Sequence, residues 1–130
     1  DVSPYMVPII TLDDYCRENE ISHINFVKID AEGFDLNVLE GAHQLLTDQA
    51  IDIFVFEFAS GWAATKRYLW EANEYFEGLP YELYRLFNGF LCALKYDIRN
   101  DSCCSLPAMY VGVASTRMQR GDIPLRAYCF

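Results

Sequence analysis

Lys28-Ile29-Asp30-Ala31-Glu32-Gly33, entered through the apolar run Ile24-Asn25-Phe26-Val27, is the stretch that decides the fold. An apolar strand that ends in two carboxylates and a glycine, then opens into an amphipathic helix, reads as the strand-to-helix turn of an α/β site. In open α/β sheets, ligands bind outside the carboxyl ends of the parallel strands. The strand is expected over residues 24–30 and largely buried. The helix is expected over residues 34–46: Val38, Leu39, Ala42, Leu45 and Leu46 fall at i, i+1, i+4, i+7 and i+8, one apolar stripe to set against a sheet. Asp35 sits in its first turn, where the helix dipole favours negative charge.

Downstream, Ile51-Asp52-Ile53-Phe54-Val55-Phe56-Glu57-Phe58 is nearly continuous in apolar character, as a parallel strand covered on both faces reads. Strand, helix and strand make a βαβ unit, with a right-handed crossover expected. Upstream, Thr11 is a good N-cap with Asp14 three residues on, and Leu12, Tyr15 and Cys16 share one face of a short helix ending in Arg17-Glu18-Asn19-Glu20. Ser60-Gly61 opens a helix to about residue 77, with Leu69, Asn73 and Phe76 on one face, stopped by Gly78-Leu79-Pro80. Asn88-Gly89 between two apolar runs, 81–87 and 90–96, signals a hairpin. A polar loop over 97–105, a last strand over 108–114 and an irregular tail over 117–130 complete the reading.

The 130 residues suit one domain, and 52% hydrophobic and 15% aromatic content argue against disorder. A net charge of −9 with scattered Lys and Arg argues against a nucleic-acid partner and an acidic membrane surface. No apolar run approaches the roughly 20 residues that span a bilayer. The chain opens on Asp1 without a start or leader signal, so a segment cut from a longer protein is expected. Cys16, Cys92, Cys103, Cys104 and Cys129 show no metal spacing; Cys16 and Cys92 read as buried thiols, and reduced cysteines fit a cytoplasmic setting.

Three carboxylates are candidates for chemistry. Asp30 and Glu32 flank the strand-to-helix turn, and Glu57 ends the next parallel strand about 5 Å away. Together they suit a bound cation, a general base or a divalent ion. Gly33 lets a ligand approach the backbone and leaves amide hydrogens free at the helix start. The plain alternative makes Asp30 or Glu32 a helix cap. Glu57 follows a wholly apolar run and must reach solvent, a partner or a ligand, because burying it unpaired costs several kcal/mol. His23 and His43 read as solvated surface and Trp62 and Trp70 as core, although Trp62 opens onto the same rim. Lys28 should lay its stem along apolar surface with the ammonium at an edge.

Thr11-Leu12-Asp13-Asp14-Tyr15, the K-I-D-A-E-G turn, Leu39-Glu40-Gly41-Ala42 and Phe56-Glu57, in that order, resemble the FkbM family of S-adenosylmethionine-dependent methyltransferases over roughly residues 9–115. The resemblance implies an α/β, Rossmann-like methyltransferase sheet, of which this chain holds the C-terminal half: parallel strands four and five, then the sixth and the antiparallel seventh. It implies methyl transfer to oxygen on a small molecule or sugar, with S-adenosylmethionine as cofactor. By position alone, Asp30 and Gly33 are assigned to the cofactor side and Glu32 and Glu57 to the acceptor or base side, and the carboxylate roles are interchangeable on that ground. The family's D-x-G-x-x-x-G turn has no match in these residues. A carboxylate-bound divalent metal site and a non-catalytic α/β interaction module are the competing readings.

Overall fold

The β-branched and aromatic runs of the described residues form five strands: β1 (Ile24–Lys28), β2 (Ile51–Phe58), β3 (Tyr81–Phe87), β4 (Phe90–Ala93) and β5 (Ala108–Ala114). A computed structural model describes residues 5–99 and 107–120. The strands join in one sheet of order β1-β2-β5-β3-β4. β1 and β2 are parallel, with Phe26 opposite Ile53 and Lys28 opposite Val55. β5 runs antiparallel to both β2 and β3, and the β3–β4 hairpin closes the far side. Asn88 (φ 48°) and Gly89 (φ 79°) turn that hairpin with two positive-φ residues, the conformation that matches strand twist in a two-residue loop.

Alternation along β2 divides the molecule. Phe54, Phe56 and Phe58 point to one face and are buried under helices α2 (Asp35–Glu40), α3 (His43–Thr47) and α5 (Leu69–Glu77), which contribute Leu36, Leu39, Leu46, Leu69, Ala72 and Phe76. Phe54 stacks on Phe76 with ring centroids 5.0 Å apart. It also lies flat over Gly112, opposite it in the register; a Cβ there would overlap the ring, so only glycine admits the phenyl group. Tyr81 donates to the Ile51 carbonyl oxygen at 2.5 Å, and burial pushes its phenol up to about 12. The opposite face is thinner: Ile53 and Val55 pack with Tyr84, Val111 and Val113, and Met118 of α6 (Ser115–Gln119) reaches it.

Several expectations are corrected. The helix expected over 34–46 is two, broken at Gly41-Ala42. The break is bridged from α1 (Leu12–Glu18): the Asp13 amide donates to the Gly41 carbonyl oxygen at 3.0 Å, and its carboxylate accepts from the Gln44 and Leu45 amides at 2.9 and 3.0 Å. Asp13 thereby caps α3, whose own N-cap residue Ala42 has no side chain to do so. The helix expected over 60–77 likewise splits into α4 (Ser60–Ala64) and α5, with Lys66 at φ 59° between them. β1 ends at Lys28 and lies at the sheet edge, so Phe26 is 57% exposed where a largely buried strand was expected. Tyr15, expected on the apolar face of its helix, and Trp70, expected in the core, are both exposed. The tail expected to be irregular from residue 117 begins inside α6; residues 121–130 fall outside those described, as do Cys103, Cys104 and Cys129.

A candidate active site at the carboxyl edge of β1 and β2

After Lys28 the chain turns sharply. Glu32 and Gly33 both take positive φ, 53° and 99°. Glutamate gains nothing from that region, so surrounding contacts hold it there. One of them is Asp35, fully buried at 1% exposure, whose carboxylate accepts from the Gly33 amide at 3.2 Å and the Ala31 amide at 3.5 Å. The amide expected to lie free for a ligand at Gly33 is therefore already bonded, and Gly33 itself is buried. The cap is neither Asp30 nor Glu32. Asp35, read from the sequence only as a dipole partner, shapes the turn and leaves Asp30 and Glu32 exposed. An aspartate two residues after the glycine is the legible signal, since Asp side chains bond nearby backbone amides in turns.

The loop after β2 meets this turn backbone to backbone. A Cβ on Gly33 would overlap the Gly61 carbonyl, and a Cβ on Gly61 would lie 2.8 Å from the Glu32 carbonyl oxygen. Both residues must be glycine for the loops to touch. Thr65 crosses the same junction, its hydroxyl 2.9 Å from the carbonyl oxygens of Gly33 and of Trp62. Trp62 is core, 1% exposed, against Phe56 and Phe58; its indole N–H donates to the Glu57 carbonyl oxygen at 2.8 Å and fixes the end of β2. Gly61 reads from the sequence only as part of a helix start and Thr65 carries no signal, so their contacts across the two loops are identified by the fold alone.

Lys28 and Val55 are opposite in register, so the same alternation sends Asp30 and Glu57 to one face. Asp30 is about half exposed and Glu57 half-buried. The Lys28 ammonium lies 2.5 Å from the Asp30 carboxylate. That hydrogen bond holds the lysine above its ordinary value, and the charges of Glu57 and Asp35 act in the same sense. The rim thus carries carboxylates from both strand ends with one ammonium among them, at an edge as the snorkelling argument requires. Such a rim favours a cationic ligand and offers oxygen bases close to it.

The other titratable groups lie elsewhere. His23 is not merely solvated: its Nε2 lies 3.2 Å from Asp52, which also accepts from Asn25 and Arg117. His43 pairs with the Tyr75 hydroxyl at 3.0 Å. Cys16 is buried, which pushes its thiol up, and Cys92 is half-buried in β4. A groove of about 490 Å³ between Arg17, Ile21, Gln44 and Gln49 opens at the amino ends of β1 and β2, opposite the carboxylate rim. Among the described residues no three His, Cys, Asp or Glu side chains are grouped to hold a metal, and no helix is long and apolar enough to cross a membrane.

Neither a curated protein nor a solved structure matches the chain significantly. A family model does: the methyltransferase FkbM domain matches residues 1–96, which take in the Asp13 bridge, the turn at Asp30–Gly33 and the end of β2. With nearly three quarters of its length matched, this chain belongs to the FkbM methyltransferase domain family.

Proposed function

We propose that the rim formed by Asp30, Glu32 and Glu57 is the working edge of an S-adenosylmethionine-dependent methyltransferase that methylates an oxygen of a small molecule or sugar. The observation that carries the reading is the placement of Asp30 and Glu57 on one face at the carboxyl ends of the parallel pair β1 and β2, with the Lys28 ammonium bonded to Asp30. The sheet order supports it: β1, β2, β5 and β3 read as the fourth, fifth, antiparallel seventh and sixth strands of a Rossmann-like methyltransferase sheet. The acidic rim fits the cationic end of S-adenosylmethionine. The part of the site that holds the nucleoside is assigned outside these residues, which contain no D-x-G-x-x-x-G turn.

When bound, S-adenosylmethionine supplies an electrophilic methyl group on a sulfonium. Asp30, with Lys28 fixing its carboxylate, attracts and orients the cationic end. Glu57, half-buried and steadied through the Trp62 bond to its own carbonyl, is placed to accept the acceptor hydroxyl's proton at a carboxylate oxygen. Glu32, exposed on its positive-φ turn, binds acceptor hydroxyls, and Gly33 shapes the turn. Methyl transfer needs little else from protein beyond an in-line approach and a base.

Asp30→Asn and Glu32→Gln are each expected to lower turnover at least about tenfold, equivalent to about 1.4 kcal/mol of transition-state stabilisation. Transfer of labelled methyl groups to a panel of small hydroxylated acceptors reads this out. Wild-type rates in both variants would return the carboxylates to a purely structural role.

A further inference from the structure

We infer that Thr65 is a positioning residue for the methyltransferase site: its hydroxyl locks the turn after β1 to the loop after β2 and so sets Asp30 and Glu32 relative to Glu57. The inference rests on the reading of the rim given above, and concerns a residue that contributes no group to the chemistry.

Thr65 caps the short helix α4, and its own amide is bonded within that helix, to the Gly61 carbonyl oxygen at 3.1 Å. The hydroxyl is left for another task. It lies 2.9 Å from the Gly33 carbonyl oxygen, 32 residues away in sequence, and 2.9 Å from that of Trp62. A hydroxyl has one proton to share between these two acceptors. Trp62 is the residue whose indole holds the Glu57 carbonyl, so one side chain ties the glycine of the first loop to the anchor of the second. The backbones already touch at Gly33 and Gly61, and a bond across such a contact resists sliding of one loop over the other. The turn has reason to move without it. Glu32 sits at positive φ, and Asp35 holds Ala31 and Gly33 by bonds of 3.5 and 3.2 Å, which are long for charge-assisted contacts.

The test compares wild type, Thr65→Val and Thr65→Ser in the protein at its full gene-encoded length. Valine keeps the shape and removes the hydroxyl; Thr65→Ala serves if valine is not accommodated. Amide exchange of the peptide spanning residues 29–37 is read beside the melting temperature and calorimetric S-adenosylmethionine affinity. Losing one ordinary hydrogen bond sets the scale: exchange in that peptide rises about fivefold and affinity falls about fivefold in Thr65→Val. Global melting falls by no more than the few degrees that one hydrogen bond is worth, and Thr65→Ser restores both values. Unchanged exchange in Thr65→Val overturns the clamp. Faster exchange with wild-type affinity makes the clamp structural only and overturns its role at the site. A wild-type protein that does not bind S-adenosylmethionine overturns the reading of the rim, and the positioning role with it, whatever the exchange shows.

Discussion

Single residues carry more of this structure than their place in the sequence suggests. Asp52 is the clearest example. It interrupts the apolar run of β2, yet is only 7% exposed, held by Arg117 of α6, by His23 before β1 and by Asn25 of β1. The Arg117 hydrogen bond is the main cause that lowers its carboxyl to about 2, with His23 and Asn25 adding to it. The sign of the pH effect follows. A carboxyl depressed in the folded state contributes stability that is complete above its ordinary value near 4 and is lost as pH falls toward about 2. Urea titrations between pH 5 and pH 2 should therefore show wild type losing on the order of 2 kcal/mol more than Asp52→Asn over that interval. Parallel acid limbs for the two proteins would show that the cluster does not depend on the charge of Asp52.

The elements are organised by bonds that reach from one to the next. Asp13, on α1, caps α3 where the chain breaks at Gly41-Ala42, so the two family motifs at residues 11–15 and 39–42 describe one joint. Asp13→Ala should cost about 1–2 kcal/mol in urea titration, the usual cost of losing a cap; a value near zero would mean that α3 holds its start unaided. The elements most legible in the sequence were those with unambiguous local chemistry. β2 and β5 have the bounds their apolar runs give, and Asn88-Gly89 turns the hairpin it signals. The helix breaks were hidden because Ala42 and Leu46 stay in phase with Leu39 across Gly41, so periodicity continues where the hydrogen bonds do not. The exposure of Phe26 was hidden for another reason: composition shows that a strand can be covered, whereas its place in the sheet decides whether it is. At the rim, the placement of Asp30 and Glu57 at the ends of neighbouring parallel strands could be read from spacing. Gly61 and Thr65 could not, because their roles are contacts between loops far apart in sequence, whereas Asp35 bonds amides two and four residues before it and carried a local signal.

Taken together, the five strands of the described residues make a mixed sheet with one thick, aromatic face, one thinner face and, among those residues, an open edge at β1. An open edge with an exposed phenylalanine is a template for pairing with another chain. The 130-residue chain alone is expected to self-associate through that edge, and Phe26→Lys to reduce the association; sedimentation of the two forms is the check, and equal behaviour would move the contact elsewhere. The same edge borders the rim at which the methyltransferase reading places the cationic end of S-adenosylmethionine. Calorimetric titration of that compound into the full gene-encoded protein and its Asp30→Asn variant bears on this reading at its foundation. The account requires saturable binding by wild type and an affinity at least about tenfold weaker in Asp30→Asn, a loss of about 1.4 kcal/mol, with the melting temperature unchanged. Equal affinity in the two proteins, or no binding by wild type, would contradict it.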